Sequence, residues 1–164
     1  MLIHSAEQLV TVAGGPQRGH NLGKLGIISD GAVLIKEGKI AEVGGSADLL
    51  AAYPNEERLD VSGKVVMPGF IDPHTHALWA GDRAAEFEMR LEGKTYLEIL
   101  QAGGGIISTV RATREAGLEN LMEQTRTRLW QMFYHGSTTV EVKTGYGLET
   151  ETELRMLDAI VKLD

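Results

Sequence analysis

Hydrophobic and polar residues form short alternating runs along the first third of the chain, a pattern typical of β-structure. Residues 2–12 predict a first strand. Two apolar runs, residues 32–35 and 40–43, flank Glu37 and Gly38 and predict a β-hairpin with its turn at these two residues. The start of the chain is therefore expected to be a small sheet.

Three further segments belong to this region. Residues 14–26 are rich in glycine and polar side chains and predict a loop. Residues 46–53 predict a short helix with Ser46 as its N-cap, and residues 58–61 predict a short strand.

The pattern changes at Val65. Residues 65–72 are an almost continuous apolar run, VVMPGFID, which predicts a strand buried on both faces, as parallel sheets require. Residues 95–101, 107–115 and 118–134 have helical spacing, and Gly136 follows the last of these as a stop signal. Residues 137–143 predict a second strand.

A final helix is predicted from Thr150, because Thr150 and Glu153 have the spacing of a capping box. From residue 65 onward the order is therefore strand, helices, strand and helix. That order predicts an α/β fold with a parallel sheet, whose functional sites lie at the carboxyl ends of the strands. We expect a domain boundary after residue 64, with residues 65–164 forming βα units.

His74 and His76 stand where the first buried strand is expected to end. Residues i and i+2 of a strand project from the same face, about 6–7 Å apart between Cα atoms. Two imidazoles so placed can bind one divalent metal ion, but a catalytic site needs at least three protein ligands and an open position. The alternative is a pair of surface or capping histidines near a turn.

Composition narrows the classes of protein. The net charge of −7 and the pI near 5.2 argue against a nucleic-acid partner. The absence of cysteine excludes disulfides and thiolate metal sites. Neither a signal peptide nor a long apolar span is recognisable, so we expect a cytoplasmic protein without a membrane partner.

The segment VVMPGFIDPHTH, with a short β-rich segment before it, resembles the amidohydrolase superfamily of metal-dependent hydrolases. Further segments within residues 65–158 are similar to the imidazolonepropionase family: HTHALWAGDRAAEFEMR, KTYLEIL, GGGIISTVRATREA and VEVKTGYGLETETELRML. The resemblance implies the first part of a (β/α)8 barrel, preceded by part of a small composite β-sandwich. It also implies hydrolysis of 4-imidazolone-5-propanoate to N-formimino-L-glutamate, in histidine degradation, with one zinc or iron ion.

The resemblance also assigns roles to individual residues. His74 and His76 match two metal ligands, and Arg83 matches the residue that binds the carboxylate of the anionic small-molecule substrate, a role that suits a planar guanidinium. Tyr96 and Tyr146 match tyrosines of the substrate pocket. Arg83 could instead form an ordinary surface salt bridge, and Tyr96 could be a half-buried helix residue.

Two other groups of residues are expected to have structural roles and no part in the chemistry. Glu141 and Lys143 share one face of their strand, and we expect them to form a structural ion pair; a carbamylated Lys143 in a two-metal site is the alternative. The three glycines at residues 103–105 lack the GK[ST] ending of a phosphate loop, so a flexible loop near the pocket is expected.

The chain is short for such an enzyme, because a complete barrel takes roughly 250 residues. The family resemblance places the remaining metal ligands and the catalytic acid/base residues beyond Asp164, and His135 is expected to cap a helix end. We therefore expect the N-terminal portion of an enzyme that is a homodimer when complete, and a segment that is inactive and poorly soluble alone.

Two other functions stay open at this point. The chain could belong to another amidohydrolase, acting on a different cyclic amide or deaminating a ring. It could also be a non-catalytic scaffold of the same fold.

Overall fold

A five-stranded sheet organises the first of two compact units, Met1–Pro68, in the computed structural model, which describes residues 1–164. Its first strand, β1 (Leu2–Val10), pairs with every other strand except β3. The pairing with β2 is antiparallel, and those with β4 and β5 are parallel. The other strands are β2 (Ile27–Lys36), β3 (Lys39–Gly45), β4 (Arg58–Asp60) and β5 (Val65–Val66).

The predicted hairpin is confirmed. Strands β2 and β3 pair antiparallel, and Glu37 and Gly38 connect them with φ angles of 51° and 71°. Two successive left-handed residues are the geometry of a type I′ turn, whose twist matches that of the strands it joins. Glycine adopts that conformation without strain, which explains Gly38 at the second position.

The predicted short helix is present as α1 (Ser46–Ala52), but Ser46 is not its N-cap. Gly45 occupies that position. The Ser46 hydroxyl instead donates to the carbonyl of Gly31 at 3.1 Å and accepts from the N–H of Ser5 at 2.8 Å. Ser46 therefore attaches the helix to the sheet. The core beneath it consists of buried apolar side chains, Leu2, Ala32, Leu34 and Leu49.

The strand predicted over residues 65–72 is two strands. Strand β5 pairs with β1, and a separate strand β6 (Phe70–Thr75) begins the second unit, Gly69–Asp164. Pro68 lies between them and has no N–H to continue a ladder, which accounts for the break. The boundary between the two units therefore falls after Pro68 instead of after residue 64.

Strand β6 pairs in parallel with β7 (Ser137–Val142), as expected for βα units. The prediction that β6 is buried on both faces is wrong for this chain: four of its six residues are exposed and none is fully buried. Phe70 and Ile71 are 54% and 69% exposed.

The helices of the second unit largely follow the predicted pattern. Three match closely: α3 (Tyr96–Gln101), α4 (Ile106–Glu115) and α5 (Leu118–Tyr134). Helix α2 (Ala84–Leu91) was not predicted, although its sequence AAEFEMRL consists of good helix formers. His135 caps the end of α5 as expected, with its ring Nδ1 2.7 Å from the carbonyl of Gln131.

The last helix, α6 (Thr150–Leu163), is confirmed, but its capping box is not. Glu149 is the N-cap. Oε1 of Glu153 accepts from the N–H groups of Gly147 and Leu148, at 2.7 and 2.8 Å, so Glu153 anchors the preceding loop.

The core of the second unit lies between α5, α6 and the loop that follows β6. Its buried members are Leu78, Ala80, Leu121, Met156 and Ala159. None of the helices has the length and apolar character needed to span a membrane.

Candidate metal and substrate site

The carboxyl ends of β6 and β7 form the floor of the candidate site. Thr75 pairs with Val142 there, and the N–H of Lys143 donates to the carbonyl of Thr75 at 2.8 Å. The hydroxyl of Thr75 also donates to the carbonyl of Glu141 at 2.7 Å. Side chains that follow either strand consequently emerge at the same edge.

His74 and His76 emerge together at this edge, as their spacing predicts. Their ring centroids are 5.5 Å apart, and the ring planes meet at 79°. Two imidazole nitrogens suit zinc or iron. The chain contains no group of three or more His, Cys, Asp or Glu residues arranged to hold a metal ion. A metal ion bound by these two histidines would therefore need further ligands from outside this chain.

The carboxylate of Glu141 approaches the first histidine. Its Oε1 lies 4.0 Å from Nδ1 of His74. The predicted ion pair between Glu141 and Lys143 is wrong: no ion pair joins them. Lys143 lies past the end of β7 and is exposed, so water can solvate its charge. The carboxylate of Glu141 faces His74 on the neighbouring strand instead.

Tyr146 packs against the second histidine from the loop that follows β7. Its ring centroid is 5.6 Å from that of His76, and the rings meet at 66°. Gly145 permits this approach, because a Cβ there would lie 3.2 Å from Cε1 of His76. The structure thus brings together one candidate metal ligand and one candidate substrate residue.

Arg83 lies at the N-cap of α2 and donates from Nη2 to a carboxylate oxygen of Glu86. This hydrogen bond raises the pKa of Arg83; burial opposes the shift, and the negative charge of Glu86 adds to it. The side chain of Arg83 remains 43% exposed and accessible to a ligand.

Tyr96 is the first residue of α3 and is 60% exposed, so the alternative of a half-buried helix residue does not apply. A capping box at Thr95 and Glu98 starts the helix: the Thr95 hydroxyl accepts from the N–H of Glu98 at 3.3 Å, and Glu98 accepts from the N–H of Thr95 at 2.8 Å. This cap fixes the start of the helix at Tyr96.

The sequence pattern did not indicate Arg128, which supports the loop after His76. Its Nη1 donates to the carbonyls of Ala77 and Trp79, at 3.0 and 2.8 Å, and its guanidinium lies 3.7 Å from the centre of the Trp79 ring. Burial lowers the pKa of Arg128. One feature of the sequence could have indicated Arg128: it lies seven residues after the core residue Leu121, so both residues lie on the same face of the helix.

The sequence of this chain is similar to those of known imidazolonepropionases. Residues 31–55 match the model of an imidazolonepropionase-like composite domain of bacteria. The imidazolonepropionase of Herpetosiphon aurantiacus is 49% identical over 162 residues, which is 99% of this chain and 38% of that protein. That of Halobacterium salinarum is 52% identical over 97% of this chain and 38% of its own length. The chain is homologous to imidazolonepropionase.

The homology covers this chain almost completely, but the chain spans only about two-fifths (38%) of the length of these imidazolonepropionases. Solved structures agree on the fold. Guanine deaminase of E. coli superposes with a TM-score of 0.65 at 23% identity, covering 99% of this chain and 34% of that one. Atrazine chlorohydrolase TrzN of Arthrobacter aurescens superposes with a TM-score of 0.57 at 20% identity, covering 99% of this chain and 33% of that one. The chain thus has the fold of the corresponding part of these proteins.

Proposed function

We propose that this chain forms part of an imidazolonepropionase, and that the complete enzyme hydrolyses 4-imidazolone-5-propanoate to N-formimino-L-glutamate. The observation that carries this proposal is the 49–52% identity to imidazolonepropionases over nearly the whole chain. The paired histidines at a strand end, with Tyr146 against one of them, support it.

The chain would contribute two groups of residues to the site. His74 and His76 would supply two ligands to one divalent ion, zinc or iron, with the remaining ligands from the rest of the enzyme. When bound, such an ion activates water and polarises a carbonyl. The zinc complex of atrazine chlorohydrolase TrzN, which shares the fold, supports a divalent ion. Residues 1–68 would contribute to the composite β-sandwich, and residues 69–164 to the barrel.

Arg83, Tyr96 and Tyr146 would hold the substrate. The propionate is an anion, and Arg83 is a partly exposed guanidinium, which is protonated at neutral pH. Tyr146 lies against His76, so a ring held by its phenol would lie next to the metal ligands. Fixing the substrate at both ends lowers the entropic cost of the reaction. The acid/base residues would come from the rest of the enzyme.

A substrate panel with the purified complete enzyme tests this function. We expect the absorbance of 4-imidazolone-5-propanoate to fall on incubation with the enzyme, while guanine and other cyclic amides are unchanged. About one metal ion per subunit is also expected, from the single open site of a mononuclear hydrolase. Deamination of guanine with no loss of the imidazolone would contradict the proposal, and an enzyme inactive on every substrate would favour a scaffold. Light scattering of the same sample tests the predicted homodimer.

A further inference from the structure

Glu86 is a buried carboxylate on an otherwise open helix. It is 7% exposed, whereas its neighbour Phe87 on α2 is 64% exposed. Both of its oxygens are engaged. Oε2 accepts from Nη2 of Arg83, and Oε1 accepts from the N–H of Gly105 at 2.9 Å. A buried charge needs such partners, because an unpaired carboxylate in this position would be strongly destabilising.

The glycine-rich turn at residues 103–105 is packed against this carboxylate. A Cβ on Gly104 would lie 3.0 Å from Cδ of Glu86 and 2.8 Å from Cγ2 of Ile99. Gly103 and Gly105 have φ angles of +86° and +79°, which glycine adopts without strain. Gly104 therefore allows close approach of the backbone to Glu86, and Gly103 and Gly105 supply the left-handed turn around it; this is a more specific role than the flexible loop expected from the sequence.

Glu86 leaves most of the Arg83 guanidinium available. A guanidinium has five N–H donors in a planar fork, and the ion pair with Glu86 uses Nη2. An open cleft of about 260 Å³ adjoins it, lined by Arg83, Glu86, Phe87 and Arg90. An arginine held on one side by a buried carboxylate can present its other N–H groups to a second anion in a fixed orientation.

We propose that Glu86 is a positioning residue for substrate recognition: it fixes the guanidinium of Arg83 against the glycine-rich turn, so that the free N–H groups of Arg83 bind the substrate carboxylate. This inference rests on the proposed function of the complete enzyme. Glu86 does not touch the substrate and acts only through Arg83. Its removal should therefore weaken binding of the anionic substrate and leave the chemical step almost unchanged.

The test compares four variants of the complete enzyme: Glu86→Gln, Arg83→Ala, the double variant, and the control Glu88→Gln, which alters an exposed carboxylate on the same helix. Each is assayed with the anionic substrate and with its neutral carboxamide. We expect Glu86→Gln to raise KM for the anion about tenfold with kcat within about twofold, from the size of a charged hydrogen bond. Glu88→Gln should leave both constants unchanged.

The double variant separates positioning from a general structural effect. If Glu86 acts through Arg83, the double variant has the same KM for the anion as Arg83→Ala, since the two effects are not additive. KM for the carboxamide should not respond to Glu86→Gln. The inference would be overturned if the two substitutions had additive effects on KM for the anion, or if Glu86→Gln raised KM equally for the anion and the carboxamide.

Two outcomes distinguish this inference from the function on which it rests. If Arg83→Ala raises KM for the anion and Glu86→Gln does not, only the role of Glu86 is wrong. If Arg83→Ala leaves KM unchanged, the carboxylate-binding role of Arg83 is wrong as well. Should Glu86→Gln fail to fold, Gly104→Ala replaces it, because its Cβ would lie 3.0 Å from Cδ of Glu86 and would also press on Ile99, so that Glu86 or Ile99 has to move. Its control is Gly117→Ala, where a Cβ has open space; equal KM values for the two alanine variants would then overturn the inference.

Discussion

The phenol ring of Tyr146 meets the imidazole of His76 edge to face, with 5.6 Å between the ring centroids. The two residues follow different strands and come together because β6 and β7 are parallel and end at the same edge. Gly145 lies close to this contact: its φ is +137°, and a Cβ there would lie 3.2 Å from Cε1 of His76, so the imidazole would have to shift. A candidate substrate residue and a candidate metal ligand are therefore in direct contact.

The first prediction follows from this contact. In the complete enzyme, Gly145→Ala should lower metal affinity by about tenfold or more, because the new Cβ, 3.2 Å from Cε1, displaces the His76 ring. The measurement is metal content per subunit after dialysis against a weak chelator.

Gly93→Ala is the matched control for Gly145→Ala. Gly93 also has a left-handed φ, +86°, but a Cβ there meets nothing within 4 Å. Both variants should lose about 1 kcal/mol of stability from backbone strain, and only Gly145→Ala should lose metal. Equal metal retention by the two would show that the approach of Gly145 does not control His76.

The second prediction concerns Glu141 and His74. Metal-binding histidines usually donate their second ring N–H to a carboxylate or carbonyl, and Oε1 of Glu141 lies 4.0 Å from Nδ1 of His74. Glu141→Gln in the complete enzyme should therefore weaken metal binding about tenfold, measured by competition with a chromophoric chelator. Glu123→Gln alters an exposed carboxylate on α5 and serves as the control. Similar metal affinities for the two variants would show that Glu141 does not contribute to metal binding.

Local patterns were sufficient for much of the fold and for the histidine pair. The hairpin turn at Glu37 and Gly38 and the helix Leu118–Tyr134 depend on residues close in sequence, whose spacing reports their conformation directly. The alternate positions of His74 and His76 on a strand likewise fix their shared face. The unpredicted break at Pro68 was also a local signal, since proline cannot continue a strand ladder.

Contacts distant in sequence account for what the pattern did not reveal. Glu86 binds the N–H of Gly105, 19 residues away, and Arg128 binds the carbonyl of Ala77, 51 residues away. Ser46 has the sequence of an N-cap, but the hydroxyl instead bonds Gly31 and the N–H of Ser5 in the sheet. In each case a tertiary partner decides the role of a polar side chain, and local propensity does not specify that partner.

The third prediction concerns the loop held by Arg128. Arg128→Ala should destabilise the protein by about 2–4 kcal/mol, because two carbonyls lose a charged donor and the Trp79 ring loses its cation. Denaturant unfolding measures the change in the free energy of unfolding. Arg126→Ala removes an exposed arginine two residues away and should cost less than about 0.5 kcal/mol. A similar small loss for both variants would show that Arg128 does not support this loop.

The last prediction uses the pH dependence of stability. The hydrogen bond from Arg83 lowers the pKa of the Glu86 carboxyl; burial opposes this, and the N–H of Gly105 and the charges of Arg83 and Arg90 add to the lowering. The pKa of Glu86 is thus lower in the folded protein than in the unfolded chain, where the pKa of a glutamate is about 4.3. Glu86 therefore contributes stability fully above that unfolded pKa, and the contribution is lost as the pH falls through the folded pKa.

Glu86→Gln should accordingly destabilise the protein most at neutral pH, and the difference from the wild type should shrink below about pH 4.3. Urea unfolding at a series of pH values from 7 to below 4 measures the free energy of unfolding of both proteins. Glu88→Gln corrects for the loss of one carboxylate from α2. A difference between Glu86→Gln and the wild type that stays constant across this range would mean that the ionised carboxylate of Glu86 does not stabilise the fold through Arg83 and Gly105.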